Sequence, residues 1–212
     1  MTEAADKVQT IFSYFEELFG KEPRCELNYK TDIDLLVAII LSAQCTDKRV
    51  NQVTKTLFQK YKTLQDYANS NIAELESEIH STGFYRNKAK NIKAMANTVL
   101  TEHNGQIPTD LEALTTLPGV GRKTASVFLC EFYRIPAMPV DTHVERLSRR
   151  LGFSNGKNPL QIERDLRAIL PIENWANYHL LMVLFGRYNC TARNPKCDAC
   201  KLKENQTCSW IK

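Results

Sequence analysis

Lys123 and Asp141 each stand in a short run of residues with a chemical meaning. Lys123 lies in Leu117-Pro118-Gly119-Val120-Gly121-Arg122-Lys123-Thr124-Ala125, and Asp141 in Pro139-Val140-Asp141-Thr142-His143. A surface lysine is ordinarily protonated and inert. A cationic neighbour such as Arg122, the positive end of a helix and partial burial would together make such an amine a usable nucleophile. A carboxylate such as Asp141 could take the lysine proton or stabilise positive charge developing on a sugar. Its plainer use is to cap the helix expected before Val144, and one rigidly held carboxylate can do both.

The glycines before the lysine have their own use. Gly119 and Gly121 permit a tight turn between two apolar helical stretches and let backbone approach a ligand closely. The following helix would open with unpaired N–H groups, a natural place for a phosphate, and Arg122 and Lys123 add positive charge there. Two other glycine motifs do not fit. A P-loop needs four residues between its glycines, and here Val120 alone separates them. A dinucleotide fingerprint needs a third glycine where Thr124 stands, and a preceding strand.

Four of the seven cysteines fall at the C-terminus, as Cys190-x6-Cys197-x2-Cys200-x7-Cys208. Four thiolates can hold a tetrahedral zinc or an iron–sulfur cluster, and the spacing does not decide between them. Cys25, Cys45 and Cys130 are scattered in apolar surroundings and read as buried thiols. The same C-terminal segment is basic. From Leu181 onward six Lys and Arg, including Arg193, Lys196 and Lys212, face two acids, which accounts for the whole net charge of +4. A local excess of this kind suits a polyanion.

A chain of 212 residues, 43% hydrophobic and 25% charged, is ordinary for a globular protein with a sizeable core. The longest apolar run, Leu35–Leu41, is too short to span a bilayer. Glu3 and Asp6 stand where a signal peptide would be basic, so a cytoplasmic protein is expected.

The elements that must position these residues all read as helices. Val8, Ile11, Phe12, Phe15, Leu18 and Phe19 recur at helical spacing before Gly20. Asp34 is expected to cap a buried helix over 35–44, and Thr46 to cap the next. Helices are expected over 72–81, stopping at Gly83, and over 87–102. Thr109 is expected to cap a short helix before Pro118. Further helices cover 122–133, a stretch from Asp141 or Thr142 to Gly152, one beginning at Asn158-Pro159, and 174–185. The chain is all-α with a metal-type C-terminal loop. His179 reads as a core residue, and His143 could orient Asp141.

The run LPGVGRKTA followed by VDTHV resembles the motif pair of the endonuclease III family, helix-hairpin-helix DNA glycosylases with AP lyase activity. The likeness runs from about Asp34 to Cys208. It implies a six-helix barrel over residues 25–135 containing the hairpin, and a second lobe of residues 1–24 and 136–212 carrying a [4Fe–4S] cluster on Cys190, Cys197, Cys200 and Cys208. The family has five residues before its last cysteine where this chain has seven. The implied reaction excises oxidised pyrimidines from damaged double-stranded DNA. Lys123 attacks C1′, expels the base and forms a Schiff base, and elimination cuts the strand on the 3′ side. Asp141 activates the lysine or stabilises the cationic transition state.

Two more segments carry the likeness. Leu41-Ser42-Ala43-Gln44-Cys45-Thr46-Asp47 is similar to the loop that places a glutamine in the gap left by a flipped base. Thr82-Gly83-Phe84-Tyr85 is similar to the loop that wedges an apolar residue opposite. Residue types alone favour a polar helix end for Gln44 and a core aromatic for Phe84. Adenine-removing relatives carry a glutamate before the inserting loop, lack the lysine and have a further C-terminal domain. Residues 35–45 here hold no acid, and Lys123 is present. Relatives acting on other damaged bases remain an alternative, as does a DNA-binding module without catalysis. The resemblance further implies DNA lying across a cleft with Lys123 and Asp141 at its mouth, a monomer, no membrane partner and, in a bacterium, association with the nucleoid. Arg193 and Lys196 are expected to meet phosphates. Removing either is expected to lower the slope of log affinity against log salt by about one unit, read by anisotropy titrations of a labelled duplex.

Overall fold

The computed structural model describes residues 3–208 and Trp210, and these form helices and loops with no strand. Lys212, counted above in the basic segment, lies outside the described residues. The helices are α1 (Glu3–Phe19), α2 (Asp32–Ser42), α3 (Asp47–Lys60), α4 (Leu64–Ala68), α5 (Ile72–Ile79), α6 (Tyr85–Glu102), α7 (Leu111–Thr116), α8 (Arg122–Phe132), α9 (Thr142–Arg150), α10 (Pro159–Ile169), α11 (Trp175–Tyr188) and α12 (Lys201–Glu204). The chain divides into two compact units. One is Cys25–Tyr133, holding α2 to α8; the other is Met1–Arg24 with Arg134–Lys212.

The first unit is built around α2. Leu35 through Leu41 are all buried, so the helix is apolar on every side and needs neighbours all round; α3, α6 and α8 pack on it. Each Leu, Val and Ile among them contributes about 1.5–3 kcal/mol relative to exposure. Its start differs from the expectation. Thr31, not Asp34, is the N-cap: its hydroxyl accepts the Asp34 N–H at 3.1 Å, while Asp34 Oδ2 accepts the Thr31 N–H at 3.2 Å. Asp34 is the return half of a capping box, and the helix opens three residues earlier. Thr63 and Asp66 repeat the device at α4, a helix too short to show periodicity in the sequence. Asp110, not Thr109, caps α7, its carboxylate reaching the Ala113 N–H at 2.9 Å. Thr46 caps α3 as expected.

The hairpin joins α7 to α8. Val120 N–H donates to the Leu117 carbonyl at 3.0 Å, closing the turn. The two glycines are unlike. Gly119 has φ +79°, and a Cβ there would lie 2.8 Å from Asn91 Cβ, so both conformation and space require glycine. Gly121 has φ −85° and open space where a Cβ would project, and it is the N-cap of α8.

The second unit packs α1 against α11. Val8, Ile11, Phe12 and Phe15 form the buried face of α1, with Phe12 stacked on Tyr178 at 3.6 Å between centroids and Phe15 on Phe185 at 4.2 Å. Leu18 stays 40% exposed, outside that face. α11 runs to Tyr188 and does not stop before Gly186. That glycine lies inside the helix because α9 crosses it closely: a Cβ would meet His143 Cβ at 2.9 Å. His179 is buried, as expected. Of the three scattered cysteines only Cys130 is buried; Cys25 and Cys45 are half-buried.

Gly119→Ala is expected to destabilise the protein by about 1–3 kcal/mol, through the left-handed backbone and the Asn91 clash. Gly121→Ala should cost less, about 1 kcal/mol or under, because only the helix cap is weakened. Urea unfolding midpoints of the two variants check the contrast.

Candidate DNA-processing site

Lys123 is the second residue of α8, directly after the hairpin. Its side chain is exposed, so the partial burial expected from the sequence is not provided by the protein itself. No side chain caps the start of α8, since its N-cap is a glycine, and helix geometry points the first backbone N–H groups out of the helix end. This end of α8 is therefore a cationic, donor-rich surface suited to a phosphate or a developing anion.

Asp141, in the other unit, is the N-cap of α9. Its Oδ1 accepts the N–H groups of His143 and Val144, both at 2.8 Å. The cap engages one oxygen and leaves the carboxylate's direction fixed. His143 contributes its backbone N–H to this arrangement. Its ring turns elsewhere, with Nδ1 3.1 Å from Arg146 Nη2, and burial pushes its pKa down against the pull of Asp141.

Gln44 and Phe84 share an unusual feature. Both have left-handed backbones, with φ +53° and +49°, rare for residues with side chains and worth about 1–3 kcal/mol of strain each. Gln44 is exposed just beyond α2. Phe84 is 64% exposed and so not a core aromatic. It follows Gly83, whose φ of +71° and ψ of +156° are accessible essentially to glycine alone. That pair of residues turns the chain sharply between the 3-10 turn His80–Thr82 and α6, and leaves the ring in solvent.

The same two loops are tied by a residue that the motifs do not mark. Lys88, 5% exposed, donates from Nζ to the Leu41 carbonyl at 2.8 Å and the Thr82 carbonyl at 2.8 Å. A helical phase shared with Ile92, Met95 and Val99 is the signal that it faces inward.

Cys190, Cys197, Cys200 and Cys208 are free thiols lining one pocket with Leu151, Phe185 and Leu202. The donor set suits an iron–sulfur cluster. All four thiols are on residues that line this one pocket. Arg150 Nη1 donates to Cys190 Sγ at 3.1 Å, a contact that would stabilise a thiolate ligand there. Burial pushes the Cys190 and Cys200 thiols up. The loop itself is held by two arginines that no motif singles out. Arg150 reaches the Thr191 carbonyl at 2.8 Å and the Ala192 carbonyl at 3.2 Å, and lies 4.0 Å from the Trp210 ring centre. Arg146 reaches the carbonyls of Gly186 at 2.7 Å and Cys190 at 3.2 Å. Their spacing of four on α9 was the available signal. Arg193 and Lys196 are exposed on this loop.

Residues 37–171 match the model of the HhH-GPD superfamily of base excision DNA repair proteins. Residues 190–205 match the iron–sulfur binding domain of endonuclease III, a match that takes in Cys190, Cys197 and Cys200 and ends before Cys208. The chain is 45% identical over 198 residues to endonuclease III of Bacillus subtilis, covering 93% of this chain and 87% of that protein. It is 39% identical over 182 residues to the Escherichia coli endonuclease III, covering 86% of each. Among solved structures, a trapped covalent intermediate of endonuclease III with DNA superposes with a TM-score of 0.91 at 42% identity, over 99% of this chain and 96% of that one. A thermostable thymine-DNA glycosylase, 22% identical, shares the fold with a TM-score of 0.87 over 99% and 98%. Hairpin, helical architecture and cysteine loop thus recur together across whole chains, and this protein belongs to the endonuclease III family.

Proposed function

We propose that this protein is a base-excision DNA glycosylase with AP lyase activity, in which Lys123 is the nucleophile and Asp141 its catalytic partner. The observation that carries the assignment of Lys123 is an exposed amine at the donor-rich start of α8, directly after the hairpin, in a member of the endonuclease III family. The Lys123 amine adds to C1′ of the damaged nucleotide and the C1′–N bond to the base breaks, the base leaving with the bonding electrons. The sugar ring opens to a Schiff base. Loss of a C2′ proton then breaks the C3′–O bond and cleaves the strand on the 3′ side. Asp141 takes the lysine proton or faces the positive charge that grows on the sugar. Substrate burial of an otherwise solvated lysine is how the amine becomes reactive only on DNA.

The preferred lesion class is oxidised pyrimidines in duplex DNA, engaged by a single chain. Gln44 fills the space of the extruded nucleotide and Phe84 wedges the opposite strand, in keeping with an exposed aromatic on a rigid turn. Gly119, Gly121 and Arg122 grip the backbone. Arg193 and Lys196 add phosphate contacts from the cysteine loop. The lobes act as residues 25–135 and 1–24 with 136–212. The four cysteines hold a [4Fe–4S] cluster, which organises this loop and supplies no step of the elimination. A DNA substrate and cysteines kept reduced for the cluster fit a cytoplasmic protein, nucleoid-associated in a bacterium.

Borohydride trapping on a duplex with one oxidised pyrimidine, beside an undamaged duplex, tests the assignment. A covalent adduct on damaged DNA alone is expected, and Lys123→Gln should give neither adduct nor strand cleavage; cleavage unchanged in that variant would overturn the enzymatic role. Asp141→Asn keeps an oxygen to cap α9, so DNA affinity should hold while single-turnover excision slows by about 10²-fold or more. A large loss of affinity would mark Asp141 as a structural cap instead.

A further inference from the structure

Lys88 occupies a position with a consequence for how DNA is opened. A buried ammonium group needs hydrogen-bond acceptors, since leaving it unpaired costs several kcal/mol. Here its partners are the carbonyl of Leu41, in the last turn of α2, and that of Thr82, at the end of the 3-10 turn His80–Thr82. Terminal carbonyls of helices have no partner within the helix and attract cations. One side chain therefore closes the ends of two elements. Each element leads straight into a strained exposed residue: Gln44 lies three positions beyond Leu41, and Phe84 two beyond Thr82. Phe84 is also linked back to α6, its carbonyl accepting the Lys88 N–H at 3.1 Å. Burial pushes the Lys88 amine down, against the pull of Cys45.

We propose that Lys88 is a positioning residue that locks the Gln44 and Phe84 loops into a single two-pronged unit, so that plug and wedge enter the duplex together. This rests on the reading of Gln44 and Phe84 as the residues that open DNA. The physical case is that two prongs on independent loops would each lose conformational freedom on insertion, whereas prongs fixed to a common charged bridge lose it once, at folding. Lys88 itself touches no reacting atom and acts through the carbonyls.

The test separates positioning from stability by substrate. A duplex with one oxidised pyrimidine requires opening; a single-stranded oligonucleotide with a preformed AP site does not. Lys88→Met removes both hydrogen bonds at similar volume. Single-turnover excision from the duplex is expected to fall roughly tenfold to a hundredfold, with strand cleavage of the single-stranded AP substrate unchanged. The unstacking signal of 2-aminopurine beside an AP-site analogue in the duplex should shrink in parallel. Equal losses on both substrates, accompanied by a lower melting temperature, would show a structural role alone and overturn the proposal. If Lys88→Met does not fold, Lys88→Arg is read in the same way, its longer forked head displacing the two carbonyls while preserving charge.

Gln44→Ala and Phe84→Ala serve as separate controls. If neither slows duplex excision, the plug-and-wedge reading falls, and this proposal with it. If both slow it while Lys88→Met does not, only the role of Lys88 is overturned. Adding Lys88→Met to Phe84→Ala should cost less than in the parent protein, because the bridge then holds one prong instead of two.

Discussion

Enclosing α2 is the constraint on which the Cys25–Tyr133 unit depends. A helix buried on every face satisfies its own backbone along its length but not at its ends. The sequence meets that requirement differently at the two termini. At the start, Thr31 and Asp34 exchange bonds within one turn of chain. At the finish, the Leu41 carbonyl is taken by Lys88, from a helix distant in sequence. The local solution fixes only the helix entry. The non-local one also fixes the direction in which the chain leaves the helix, and Gln44 is on that exit. Satisfying a buried carbonyl and aiming an exposed side chain are here the same interaction.

Backbone strain is distributed to match. Gln44 and Phe84 adopt left-handed conformations that glycine would occupy with less cost, yet carry side chains. Glycine stands where a Cβ would clash or the angles are closed to other residues, as at Gly119 and Gly83, while Asn104 in the same unit also carries a side chain at positive φ. Strain in residues with side chains persists only when the surroundings over-determine it. In this unit the surroundings are the packed helices on either side of each loop and the ammonium between them.

Much of the architecture was legible because amphipathic spacing is a strong signal in long helices. α1, α3, α6 and α11 follow from it, and the buried run Leu35–Leu41 identifies α2. Caps were less legible. A capping box contains two eligible residues, and the apolar run begins beside the wrong one, which is why Asp34 drew the assignment that belongs to Thr31. Adjacent Thr109 and Asp110 pose the same ambiguity. Gly186 reads as a stop in one dimension and as a close approach to His143 in three. At the site, motif spacing singled out the hairpin, Asp141 and the cysteines, whereas the exposure of Phe84 is set by two backbone angles that its residue type does not encode. Lys88 was hidden by company: Arg86, Lys90 and Lys93 make a basic stretch that looks solvated, and only the phase with Ile92 and Met95 distinguishes the one that turns inward.

The second unit applies comparable economy to the cysteine loop. α9 is nine residues long, and its N-cap is Asp141. One face of the same helix presents Arg146 and Arg150, which between them bond the carbonyls of Gly186, Cys190, Thr191 and Ala192 and the Cys190 sulfur. The carboxylate and the loop are thus mounted on a single rigid rod, pressed against α11 where Gly186 lets His143 approach. The longer spacing before Cys208 does not loosen this arrangement. The intervening residues contain α12, anchored by the buried Leu202, whose carbonyl accepts the Cys208 N–H at 2.8 Å. Added length is absorbed in a hydrogen-bonded turn, and the last sulfur returns to the pocket. A cluster held on such a loop needs no chemical part in the reaction to matter to it: whatever orders the loop also orders the helix that caps itself with Asp141.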